Sequence, residues 1–128
     1  MTPLREEALR LLRLARRDRE TFDLLLSLPK ASLSALGFHA QQAIEKSRKA
    51  VAVLAGLDVP RTHDLAALGQ ALIDSGENLP LSVEQLRGLN PFSVGYRYDD
   101  ELIPQTTREA LAATLAVIMA WAESRILV

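Results

Sequence analysis

Residues 38–65 read FHAQQAIEKSRKAVAVLAGLDVPRTHDL, and this stretch decides the fold because it holds a long helical pattern, its end and the next helix start. Its small and apolar side chains recur with the 3.6-residue period of an amphipathic helix. Gly56 offers a C-terminal cap, Pro60 closes the connection, and Thr62 offers an N-cap for the following helix. Asp64 then falls in the first turn, where a carboxylate suits the helix dipole.

The same period extends outward in both directions. A first helix is predicted over residues 3–27, and Ser32 or Ser34 can cap the second, which ends near Gly56. The third helix ends at Gly76. Two capping boxes open the remaining helices: Ser82 with Gln85 starts a short one reaching about residue 89, and Thr106 with Glu109 starts one running almost to residue 128.

No alternating β-strand pattern remains after this assignment, so we expect an all-α protein. The connections are mainly short, which favours an up-and-down antiparallel bundle of four main helices plus one short helix. A chain of 128 residues fits a single domain, residues 1–128. Residues 89–105 contain Pro and Gly without a sustained period, and we expect a long structured loop there.

Composition narrows the functional classes. The chain has no cysteine, which excludes disulfides, thiolate metal sites and thiol nucleophiles. The 15 basic and 16 acidic side chains give a net charge of −1, so any contact with nucleic acid has to be local. No segment has the pattern of a secretion signal or a membrane span, and we expect a cytoplasmic protein.

A first candidate site lies on the second helix, where His39, Gln42 and Lys46 fall within about 60° of one another at the edge of the core. Asp18 lies inside the apolar stripe of the first helix, where an unpaired carboxylate would be costly to bury. Its candidate partners are Lys46, His39 and Arg97. The resulting cluster, covered by the loop that holds Tyr96 and Arg97, either binds an anionic ligand or fixes helix register.

A second candidate cluster comprises Arg61, His63 and Asp64 at the start of the third helix. There the helix dipole disfavours an imidazolium, and His63 can simply help to cap the helix. His39 and His63 lie on different helices without a carboxylate at ligand spacing, so no metal site is predicted. The sequence contains no phosphate-binding glycine loop, no His-Glu-x-x-His and no Gly-x-Ser-x-Gly, and no cofactor is predicted.

The quoted stretch strongly resembles the HEPN domain, in which a Phe-His-Ala-Gln-Gln-Ala-x-Glu-Lys helix is followed by a Thr-His-Asp-Leu helix start. The resemblance spans nearly the whole chain. It implies a helical bundle that is frequently a homodimer. It also implies an association with a separately encoded minimal nucleotidyltransferase, as in toxin–antitoxin pairs, with a nucleotide as a candidate ligand.

Many members of that family are metal-independent ribonucleases that carry an Arg followed after four to six residues by His. This sequence departs from that pattern, since residues 32–34 before His39 are Ser-Leu-Ser and residues 56–58 before His63 are Gly-Leu-Asp. The resemblance therefore favours a non-catalytic partner protein. The alternative is a metal-independent ribonuclease toxin with a non-standard active site.

Overall fold

The computed structural model describes residues 2–58, 64–90, 92 and 106–127. All regular secondary structure within these ranges is helical. The helices are α1 (Pro3–Leu26), α2 (Leu33–Leu54), α3 (Leu65–Asp74), α4 (Val83–Arg87) and α5 (Arg108–Ile126). The predicted all-α class, with four main helices and one short helix, is confirmed.

Side-chain caps fix the helix starts, and two of them differ from the prediction. Ser32, one of the two predicted candidates, caps α2, and the Ser82 box opens α4 as predicted. The N-cap of α3 is Asp64, whose carboxylate accepts from two backbone N–H groups; it replaces the predicted cap Thr62, which lies outside the described residues. In α5 the cap is Thr107 and not Thr106, so the predicted capping box is wrong. The residue three positions after Thr107 is an alanine, which cannot return the second hydrogen bond.

Two glycines end α2 and α3 as predicted. Gly56 has φ +77° and Gly76 has φ +96°, values in the left-handed region that glycine adopts without strain. At each end the glycine N–H and the N–H of the next residue donate back into the last turn. These paired bonds form the Schellman motif, which satisfies carbonyl groups that the helix leaves free.

The central element is α2, which packs most extensively against α1 and also against α5 and α3. One face of α2 matches the predicted stripe, and six of its seven positions are buried: Leu36, Ala40, Ala43, Ser47, Ala50 and Val51. Ser47 Oγ donates to the Ala43 carbonyl at 2.7 Å and lies 3.1 Å from Met119 Sδ of α5. A second face, with Gly37, Gln41, Glu45 and Arg48, is buried as well. The sequence reading did not anticipate this second face.

The helices α1 and α5 run antiparallel, and an arginine ties them together at each end. Arg5 Nη1 donates to the Ile126 carbonyl at 2.8 Å, and Arg108 donates to carbonyls at the end of α1. Leu4, predicted in the apolar stripe of α1, is 49% exposed because it lies in the first turn, where α5 ends. None of the described helices has the length and apolar content needed to cross a bilayer.

Candidate functional site

An ion-pair cluster lies between α1 and α2. Lys46 Nζ donates to Asp18 Oδ2 at 2.5 Å, and His39 Nδ1 lies 3.6 Å from Asp18 Oδ1. His39 and Lys46 are seven residues apart, about two helical turns, so both side chains reach the same point on α1. The predicted pairing of Asp18 with a cation on the neighbouring helix is confirmed. The Asp18 carboxylate thereby gains the partner that its position among apolar side chains requires.

The Asp18 cluster, which consists of Asp18, His39 and Lys46, is half-buried. The exposed fractions of the side chains are 16% for Asp18, 23% for His39 and 29% for Lys46. His39 Nδ1 is buried and has no hydrogen-bond partner among the described residues, because 3.6 Å is too long for one. The ring of Phe38 packs edge-on against His39, with ring centroids 5.3 Å apart. The imidazole thus packs against Phe38 and lies beside the Asp18 carboxylate without a hydrogen bond to it.

Gln42 lies on the same edge of α2, but its amide does not bond to Asp18. Gln42 Nε2 donates instead to Gln41 Oε1 at 2.7 Å, which turns the amide towards the other buried face of the helix. Tyr96 and Arg97, the other residues of this candidate site, lie outside the described residues. The structure therefore brings together Asp18, His39 and Lys46, and the ligand-binding role of the full set stays a prediction.

In the second candidate cluster only Asp64 can be located, because Arg61 and His63 lie outside the described residues. Asp64 accepts from the N–H groups of Ala66 and Ala67 and from Asn90 Nδ2, at 2.8 Å in the last case. The hydrogen bond from Asn90 is the main reason why the pKa of Asp64 lies below its ordinary value. These contacts give Asp64 a structural role as the cap of α3.

Sequence reasoning missed the charged residues of the second buried face. Arg48 is 0% exposed and Glu45 is 2% exposed, and Gln41 is buried beside them. Glu45 accepts from Lys49 Nζ at 2.8 Å. Arg48 Nε, Nη1 and Nη2 have no hydrogen-bond partner in the part of the chain that the structure describes. Burial lowers the pKa of Arg48 to about 10, which leaves the guanidinium charged at neutral pH.

The sequence contains a spacing pattern that indicates this second buried face of α2. Gln41, Glu45 and Arg48 are spaced four and three residues apart, which places them on one side of a helix. His39 and Lys46 lie on roughly the opposite side. Polar residues on two sides of a helix with so many apolar positions indicate that both sides face other helices.

The chain has no significant match among curated proteins or among solved structures. The family model for the HEPN domain matches residues 8–124. Since this match covers nearly the whole sequence, the chain belongs to the HEPN domain family.

Proposed function

We propose that this chain is a non-catalytic, homodimeric HEPN protein of the cytoplasm that partners a separately encoded minimal nucleotidyltransferase and binds a nucleotide or another anion at the Asp18 cluster. The observation that carries the ligand proposal is the position of His39 and Lys46 at one carboxylate: Lys46 is paired with Asp18, and His39 lies 3.6 Å from it. A lysine ammonium has three N–H donors, and Asp18 uses one of them. The other two can donate to phosphate oxygens, with Arg97 as a further cation.

The histidine positions support a non-catalytic role. Cleavage of RNA without a metal needs groups that exchange protons and stabilise charge on the phosphorus, which an Arg/His pair supplies near neutral pH. Neither His39 nor His63 has an arginine five to seven positions before it. Among the described residues, His39 lies beside the carboxylate of Asp18, whereas the family's ribonuclease motif pairs its histidine with an arginine.

The outer surface of α5 supports the homodimer. Ala113, Ala116, Val117 and Ala120 are all exposed, and their spacing places them on one face of the helix. These four side chains are small and uncharged, with Glu109 and Glu123 about one turn beyond them on either side, and small side chains allow another helix to approach closely. The substitution Val117→Glu should therefore shift the chain from dimer to monomer in sedimentation. Leu24→Glu, at an exposed position of α1, is the control and should leave the dimer intact. A wild-type monomer at all concentrations would remove the dimer from the proposal.

Calorimetry tests the ligand. ATP, GTP and nucleoside monophosphates are titrated into the wild type, and Lys46→Ala and Arg97→Ala are expected to weaken the binding. Arg19→Ala is the matched control, since it removes one exposed cation next to Asp18 whose own ion pair with Asp23 is 4.0 Å long. The absence of heat with every nucleotide would contradict the ligand part and leave only a scaffold role.

Two further measurements test the partner and the absence of catalysis. The proposal predicts that a minimal nucleotidyltransferase is encoded next to this chain and forms a complex with it that survives gel filtration; the absence of such a gene, or of the complex, would contradict it. RNA incubated with the pure protein and EDTA should stay intact over a range of pH. Cleavage that disappears in His39→Ala or His63→Ala would instead establish the ribonuclease alternative.

A further inference from the structure

A second charged centre lies on the opposite side of α2 from the Asp18 cluster. Arg48 is completely buried there and is among the largest fully buried side chains of the described chain. Its neighbours on α3 and α4 include Gly69 and Leu86: a Cβ atom added to Gly69 would lie 2.5 Å from Arg48 Nη2 and 2.9 Å from Leu86 Cδ1. The guanidinium is therefore packed against α3 at Gly69, and an apolar side chain of α4 approaches the same point of α3.

This arrangement is costly without a counter-ion. An arginine cannot lose its charge near neutral pH, and a buried charge is tolerated when it is paired and hydrogen-bonded. Glu45, the buried carboxylate one turn earlier on the same face, accepts from Lys49. The three guanidinium nitrogens have no partner among the described residues. The described part of this face thus carries two cations, Arg48 and Lys49, for one carboxylate.

We propose that the Arg48 guanidinium is the cationic centre of a binding site for a small oxyanion, a phosphate or phosphoryl group, at the junction of α2, α3 and α4. The planar fork of a guanidinium matches the oxygens of a phosphate, which can accept two of its N–H groups at once. The site shares no described residue with the Asp18 cluster. It does not depend on the function proposed above.

The packing at Gly69 indicates how the anion is admitted. Even one methyl carbon on Gly69 would crowd Arg48 Nη2, so the anion approaches from another side of the fork or α3 moves away. The helices α3 and α4 contact each other more extensively than α3 contacts α2. They can therefore shift as one unit when the anion binds, and the site belongs to the less tightly held part of the bundle.

An NMR titration of the wild type tests the proposal directly. Inorganic phosphate is added at constant ionic strength, with chloride as the matched salt, and the Arg48 Nε–H signal is followed after assignment through the side-chain connectivity. A saturable shift of this signal with phosphate and not with chloride is expected. A signal that does not move, or that moves without saturating and equally in chloride, would overturn the site. Since the chain is unmodified, this result does not depend on whether a variant folds.

Thermal unfolding of Arg48→Met gives an independent result. This variant removes the unpaired charge and keeps most of the volume, so its midpoint without phosphate should be higher than that of the wild type. Its affinity for phosphate should fall by at least about tenfold, as expected for the loss of a charge-assisted contact. Arg10→Met, which removes an exposed cation of α1 paired with Glu7, is the control and should leave the phosphate affinity unchanged. A lower midpoint for Arg48→Met together with an unchanged phosphate response would contradict the proposal.

Competition distinguishes the two sources of the oxyanion. If AMP displaces phosphate from Arg48, the site takes the phosphoryl group of a nucleotide; if only inorganic phosphate shifts the signal, it takes the free ion. The variants Arg48→Met and Lys46→Ala separate this site from the function proposed above. Nucleotide binding that depends on Lys46 and not on Arg48 belongs to the Asp18 cluster, whereas a phosphate response with the reverse dependence belongs to Arg48.

Discussion

Replacing Arg108 with methionine should destabilise the fold by removing the cap of α1. The last turn of α1 contains no basic residue of its own. Arg108 reaches across from the start of α5 and donates to the carbonyls of Leu26 at 2.8 Å, Leu28 at 2.9 Å and Ala31 at 2.9 Å. Three such bonds contribute about 1.5–4.5 kcal/mol together. A cation at the N-terminus of α5 opposes this by about 0.3–1 kcal/mol, which leaves a net loss of about 2 kcal/mol.

Urea denaturation followed by circular dichroism measures this loss. A change of that size lowers the thermal midpoint of a domain this long by roughly 6–10 °C. The stability of Arg108→Lys should lie between those of the wild type and Arg108→Met. An ammonium lacks the fork of a guanidinium and cannot reach all of these carbonyls at once. The control is Arg87→Met, which removes an exposed cation paired with Glu84 within α4 and should change stability by less than about 0.5 kcal/mol. If Arg108→Met also stays within that range, water satisfies the carbonyls and the capping argument is refuted.

Three further substitutions have defined outcomes. A double-mutant cycle of Asp18→Asn and Lys46→Met should give a coupling of about 1 kcal/mol in urea denaturation, since the pair is only half-buried; additive effects would mean that the contact contributes nothing. Gly69→Ala should cost about 1–2 kcal/mol by crowding Arg48 and Leu86 despite its gain in helix propensity, and the cost should be smaller in an Arg48→Leu background, where the contact with Leu86 remains; an unchanged cost would mean that Arg48 does not crowd the new methyl group. Asp64→Ala should lose about 1 kcal/mol at neutral pH. Because the folded pKa of Asp64 is lowered, its contribution is present above the unfolded pKa and is lost as the pH falls through the folded pKa, so the two stabilities should converge below about pH 4; a constant difference would contradict this.

The helices were predictable because their signals are local. The 3.6-residue period and the glycines at 56 and 76 give the number of helices and most of their ends. The starts of α3 and α5 were harder, since each is preceded by several residues that can cap a helix. Thr62 and Asp64 compete at one start, and Thr106 and Thr107 at the other. The path of the chain before each helix decides which of the two side chains caps it. A local sequence pattern does not contain that information.

The Asp18 cluster was predictable for a related reason. A carboxylate within an apolar stripe needs a cation, and only a neighbouring helix or a covering loop could supply one. Arg48 was not predicted, because α2 was assigned one buried face. Its burial requires α3 to cover the other side of the helix, and that is a property of the tertiary arrangement. Arg108 was missed similarly, since its carbonyl partners lie about 80 residues away in sequence.

The two buried sides of α2 would respond differently to an anion. On the α1 side, Lys46 already has Asp18 as a partner, so an arriving phosphate has to share the ammonium with a carboxylate and adds little stability. On the α3 side, Arg48 has no described partner, and an anion would offset the cost of its desolvation. A ligand that binds only the folded chain stabilises it according to its affinity. A large stabilisation by phosphate is therefore a property that Arg48 can supply and Lys46 cannot, although Lys46 is the more exposed cation.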